Sequence, residues 1–132
     1  MRPAAVLVCG ALALAACGGA SPRRSDADRV RDTLSAFGQA SARHDYRLVC
    51  ARLLAKPVID SVRRAGLSCE SAMKTALQGV EAPKLEVRQV TIKGNRASAK
   101  VHTSAANQQA SDDTVALVKE GGAWKIGALS GG

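Results

Sequence analysis

The chain has 132 residues, a formal net charge of +8 and a hydrophobic share of 46%, yet it holds one Trp, one Tyr and one Phe. That leaves room for one domain, with a core of Ala, Val and Leu that buries little area per residue; at ~25 cal/mol per Å² modest stability is expected. The basic residues are scattered from Arg23 to Lys125, paired only at Arg23-Arg24 and Arg63-Arg64. Nucleic-acid binders concentrate charge on one face, and single-strand binders add stacking aromatics, so this composition argues against a nucleic-acid partner.

The chain opens with a short positive start, Met1-Arg2-Pro3, and an uncharged, mostly apolar run from Ala4 to Leu14. That run has signal-peptide length and is too short to span a bilayer as a lasting anchor. Leu14-Ala15-Ala16-Cys17-Gly18 follows and resembles the bacterial lipobox. Small residues suit a narrow peptidase site, and the cysteine thiol takes the diacylglycerol. Cys9 is a poor rival, because Val8 is bulky at the cleavage position. Ordinary secretion, with cleavage after Ala13-Leu14-Ala15, is the competing reading. The resemblance implies a signal peptide over residues 1–16 and lipid attachment at Cys17. Residues 17–24 become a tether and 25–132 a single domain. It also implies a location on the extracytoplasmic face of the cell membrane, with palmitate or similar acyl chains as the anchor.

Ser25 with Asp28 three residues later has the form of a capping box. Val30, Leu34, Phe37 and Ser41 recur at helical spacing, predicting a first helix that ends near Arg43. Asp45 caps a second helix carrying Leu48, Val49, Leu53 and Leu54. Pro57 suits the first turn of a third, which Gly66 ends, and Ser68 caps a fourth with Met73, Ala76, Leu77 and Val80. With Cys9 and Cys17 accounted for, Cys50 and Cys69 remain in a compartment that permits disulfides. A buried free pair and a metal site are the alternatives, but two thiolates without nearby Cys or His partners make a poor zinc site. A structural disulfide is expected, and no metal.

After Pro83 the period changes to two. Strands over 84–92 and 96–103 flank Gly94-Asn95, a hairpin signal. Facing Lys93 with Arg96 sets Ile92 against Ala97 and Val90 against Ala99. Val101 then meets Val87 only if one extra residue is accommodated near Arg88-Gln89, so a bulge is predicted there. Residues 105–111 read as a polar loop. Strands over 113–119 and 123–129 form a second hairpin around Gly121-Gly122, with Leu117 opposite Ile126, Val115 opposite Ala128 and Trp124 opposite Lys119.

Helices followed by an antiparallel meander predict an α+β layer fold, with the N-terminal helices on one face of the sheet. The leading helix, Asp45, Cys50 and Cys69 form the first part of a wider pattern. Val90-Thr91-Ile92-Lys93-Gly94-Asn95-Arg96-Ala97 and Val115-Ala116-Leu117-Val118…Gly122-Ala123-Trp124-Lys125-Ile126 form the second. Together they resemble small actinobacterial lipoproteins of the nuclear transport factor 2-like superfamily. The resemblance implies a curved sheet and a cone-shaped cavity between it and the helices.

Some enzymes of that superfamily place an Asp or His in the cavity. Here none of their catalytic motifs can be matched position by position, so no catalytic residue carries over. His102 is out of phase with Ala97, Ala99 and Val101 and is expected to face away from the apolar side. His44 sits at a helix end, Asp45 is explained as a cap, and Asp112-Asp113 reads as a strand-entry turn. Phe37, Tyr46 and Trp124 are the candidates to line a cavity, with core packing as their default role. No cofactor is expected.

Three functions follow from this reading. The favoured one is a non-enzymatic accessory domain that contacts another envelope protein, with Trp124, Phe37 and Leu side chains filling the cavity. A deep apolar cavity would favour a binder of a small apolar molecule. A buried, unpaired His or Asp within it would favour an enzyme of the cyclase or isomerase kind.

Overall fold

In the computed structural model, which describes residues 22–131, a run of helices precedes an antiparallel meander. The segment 1–16 and the lipobox with Cys17 lie outside the described residues. Helix α1 spans Asp26–Ala42 and α2 spans Tyr46–Leu48, continuing through a π-helical turn at Val49–Leu53; α3 spans Lys56–Arg64 and α4 Cys69–Ala76. The strands are β1 (Lys84–Lys93), β2 (Arg96–Ala105), β3 (Gln108–Glu120) and β4 (Ala123–Gly131), paired in the order β1-β2-β3-β4.

The helix starts follow local capping chemistry. Ser25 and Asp28 form the reciprocal capping box at α1. Asp45 Oδ1 accepts from the Leu48 backbone N–H at 3.1 Å, and Ser68 accepts from Ser71 at the head of α4. Pro57 sits in the first turn of α3, where its missing N–H costs nothing. The π-helical turn was not expected. It widens the backbone between Val49 and Leu53, both buried, and places Cys50 beside Cys69 in a disulfide with Cα atoms 5.9 Å apart.

The first hairpin has the predicted register. Lys93 faces Arg96, Ile92 faces Ala97, Val90 faces Ala99 and Val87 faces Val101, with Arg88 as the extra residue of the bulge. Two corrections concern the rest of the sheet. Residues 105–111 are not a loop: β3 begins at Gln108, and β2 and β3 form a further hairpin around Ala106-Asn107. Its tip is pinned to the segment before β1, through Ala106 N–H to Glu81 O (2.8 Å) and Asn107 Nδ2 to Gly79 O (2.7 Å). The other correction is in the last hairpin. Leu117 does face Ile126, but a shift at Gly127 puts Ala116 opposite Ala128 and Val115 opposite Leu129. Bulges of this kind bend the strand that carries them, so the sheet curves toward the helices.

The concave face of the sheet is the core. Val30 and Leu34 of α1 are wholly buried against Ala97, Ala99, Val101, Val115, Leu117, Trp124 and Ile126. Alanines at the middle of β2 let the helix side chains approach closely. A second cluster of Ala40, Val49 and Leu53 joins α1 to the π-helical turn. The free edge of β4 is covered by the chain leaving that turn: Ala55 N–H donates to Ile126 O at 2.8 Å, and Lys56 N–H donates to the Glu120 carboxylate at 2.9 Å. Covering the edge removes a template for strand addition.

Candidate functional site

Sheet and helices do not meet along their whole length. At the end where α1 enters, the two layers are closed. Trp124 is 3% exposed, and its Nε1 donates to Asp26 Oδ1 at 3.0 Å. Lys119 Nζ donates to the same oxygen at 3.2 Å and lies 5.6 Å from the centre of the indole ring; Arg29 also pairs with Asp26. The Trp124 hydrogen bond, then those of Lys119 and Arg29, hold the Asp26 carboxyl below its ordinary value against the opposing effect of burial.

At the opposite end the layers diverge. There α3 meets the sheet at β4, and α4 packs mainly on α2 and α3. Between the layers is a cavity of about 450 Å³. Its helical wall is Phe37, Leu54, Val58, Met73, Ala76 and Leu77, and its sheet wall is Leu85, Val101, Thr103, Asp113, Ile126 and Ala128. A further lobe of about 290 Å³ adjoins it toward solvent. That lobe shares Phe37, Ala76, Leu77, Leu85 and Thr103 with the deep one and adds Ser41, Val80, Pro83 and Ser111 among others. The deep volume lies in the range of small-molecule sites. Its wall is apolar except at one place, where Thr103 and Asp113 stand side by side.

The residues singled out in the sequence are distributed unevenly over this site. Phe37 lines both lobes. Trp124 does not line the cavity, because its indole is held at the closed end by Asp26. Tyr46 is half-buried and outside it, with its ring 5.9 Å from that of His44. His44 is exposed, at a left-handed φ of 58° that ends the first helical segment. His102 lies on the convex face, with Nδ1 2.8 Å from Asp112 Oδ1 on the neighbouring strand. Cys50 and Cys69 tie the π-helical turn to α4, and so hold the helical wall in place. Among the described residues, no three His, Cys, Asp or Glu side chains converge as metal ligands. No described helix is long and apolar enough to cross a membrane.

Asp113 is the residue that sequence reading placed elsewhere. Within β3 it faces Val101, and Val101 points into the core, so the carboxylate is carried inward. It is half-buried and hydrogen-bonded rather than unpaired. Ser111 Oγ donates to Oδ2 at 2.7 Å, and Thr103 Oγ1 lies 3.2 Å from the same oxygen. Two buried polar atoms have no hydrogen-bond partner among the described residues, Arg29 Nε and Ser41 Oγ; the second belongs to the wall of the outer lobe.

No family model matches the chain, and no curated protein is detectably similar to it in sequence. Solved structures are similar in fold. An NTF2-like protein of unknown function from Silicibacter pomeroyi superposes with a TM-score of 0.54 at 14% identity, over 77% of this chain and 90% of its own. An NTF2-like protein of unknown function from Shewanella baltica superposes with a TM-score of 0.51 at 14% identity, over 77% of this chain and 88% of its own. The chain therefore has the nuclear transport factor 2-like fold, with helices packed on one face of a curved four-stranded antiparallel sheet.

Proposed function

We propose that this chain is a membrane-tethered binder of a small, largely apolar molecule, held at the extracytoplasmic face of the cell membrane through a lipid on Cys17. The observation that carries the binding reading is the open apolar cavity of about 450 Å³. An accessory domain that used its fold only as a scaffold would fill that space, and Trp124, the largest side chain available to do so, is held elsewhere. An enzyme of the cyclase or isomerase kind would set an unpaired acid or base there. The inward carboxylate is instead engaged by two hydroxyls, and both histidines lie outside. Binding without transformation is the reading that fits both facts.

The tether rests on Leu14-Ala15-Ala16-Cys17 and on the few polar residues between Cys17 and the start of α1 at Asp26. It would keep the domain close to the bilayer, where apolar molecules partition. The finer likeness to small actinobacterial lipoproteins rests on the leading helix, Asp45, Cys50 and Cys69 and on the strand segments at 90–97 and 115–126.

Calorimetric titration of the protein with decanol tests the reading. Saturable binding at one site is expected. Leu77→Trp, which puts an indole into the space shared by the two lobes, should abolish it while leaving the fold intact by circular dichroism. Absence of binding by the wild-type protein, or binding unchanged in Leu77→Trp, would return the interaction-domain reading to first place.

A further inference from the structure

The inward face of β2 and β3 changes character along its length. Cross-strand partners share a face, and the pairs run Ala97–Leu117, Ala99–Val115, Val101–Asp113 and Thr103–Ser111. The first two are apolar and buried. The last two bring a carboxylate and two hydroxyls to the point where the deep lobe meets the outer one, since Asp113 lines the first, Ser111 the second and Thr103 both.

Counting protons in this cluster defines what it can recognise. Ser111 Oγ is 2.7 Å from Asp113 Oδ2, Thr103 Oγ1 is 3.2 Å from the same oxygen, and the two hydroxyl oxygens are 2.9 Å apart. Three contacts share two hydroxyl protons. With a carboxylate oxygen as the strongest acceptor within reach, both protons are best spent inside the cluster. What remains for a ligand is Asp113 Oδ1 and the hydroxyl lone pairs, all of them acceptors. Lys84 also borders the outer lobe, but its strand partner is Ser104, on the opposite face from Leu85 and Thr103. It is exposed and does not stand with Asp113.

We propose that the cavity selects amphiphiles whose polar end is a hydrogen-bond donor, a primary ammonium above all, and rejects those ending in a carboxylate. This rests on the cavity-binding reading above and adds the chemistry of the head group. The apolar body lies against Phe37, Leu54, Val101 and Ile126, and the head reaches Asp113 at the junction of the lobes. An ammonium supplies donors and a compensating charge, giving charge-assisted hydrogen bonds. A carboxylate would bring acceptors to acceptors, and a second negative charge to a half-buried one.

The test is a calorimetric titration of the full chain with decylammonium, decanol and decanoate, all below their micellar concentrations. Charge-assisted bonds at a half-buried site predict that decylammonium binds at least about tenfold more tightly than decanoate, with decanol between them. Asp113→Asn keeps the shape and removes the charge, and it should bring decylammonium down to the affinity of decanol. Equal binding of all three probes by the wild-type protein would overturn the head-group proposal and leave the apolar cavity standing. Tightest binding of decanoate would overturn it outright. Absence of binding by every probe would overturn both readings. The wild-type rank order decides the matter even where Asp113→Asn does not fold.

Discussion

Helix α4 is held to the domain by an unusual balance. None of its residues is fully buried; Ala76 and the cap residue Leu77 line the cavity, while Met73 both lines it and packs against the small cluster of Ala40, Val49 and Leu53. The Cys50–Cys69 disulfide, closing a sequence separation of 19, is its covalent tie to the π-helical turn, beside the packing of Met73 on Val49 and Leu53. Replacing both cysteines by serine, so that no free thiol remains, should cost about 3 kcal/mol through the restored freedom of the unfolded loop. For a domain of this size that lowers the melting temperature by an amount on the order of 10 °C. Urea unfolding followed by circular dichroism measures the global loss, and hydrogen exchange measures where it falls. Amides of Cys69–Ala76 should exchange first, well below the global unfolding free energy, while those of β2 and β3 keep their protection. A global loss under about 1 kcal/mol, or exchange rising evenly over helices and sheet, would refute this account of how the helical wall is held.

Leu34 is wholly buried at the centre of the core, so Leu34→Ala should cost roughly 2–5 kcal/mol in urea unfolding; a cost within the error of the measurement would place the core elsewhere. Acid should destabilise the domain. The carboxyls of Asp26, Asp28 and Asp60 are held below the ordinary 3.8, chiefly by hydrogen bonds from Trp124, Ser25 and Lys56 respectively. Groups more acidic folded than unfolded confer stability that is present above the unfolded value and lost as pH falls through the folded one. The melting temperature should therefore drop between about pH 5 and about pH 2, less steeply in Asp26→Asn; a profile identical in the variant would remove Asp26 from the account. Cells fed a labelled fatty acid should label the wild-type protein and not Cys17→Ala, and equal labelling of the two would dismiss the anchor.

Much of the fold is legible in the chain because its signals are local. Ser25 with Asp28, Asp45, Pro57 and Ser68 mark helix starts by chemistry within one turn, and Gly94-Asn95 fixes the first hairpin. The slip in alternation at Arg88 reveals a bulge because apolar residues resume beyond it on both strands. The shift at Gly127 gave no such warning. Alanines at 116 and 128 pair as acceptably as valine with alanine, so hydrophobic pattern could not choose the register. The first half of β3 was hidden for a related reason. Residues 108–111 lie beyond the core, and with no buried face to mark period two they read as loop.

That error carried over to the site. With β3 begun at Asp113, the residue became a turn position; with β3 begun at Gln108, its pairing with Val101 turns it inward. Phe37 was recognised from helical spacing alone. Trp124 takes its default role of core packing rather than lining the cavity, and its position depends on Asp26, a partner ninety-eight residues away in sequence, which no local pattern reports. Tyr46, another aromatic candidate for the cavity, sits beside His44 instead.

The space between helices and sheet is proposed to receive an apolar ligand. Methyl-detected nuclear magnetic resonance during titration with decanol tests it most directly. Saturable shifts should be confined to methyls that line the cavity, Leu54, Leu77, Val101 and Ile126 among them, with Leu67, exposed on the surface, unmoved. Shifts that spread over Leu67 and never saturate, with the cavity methyls silent, would contradict it.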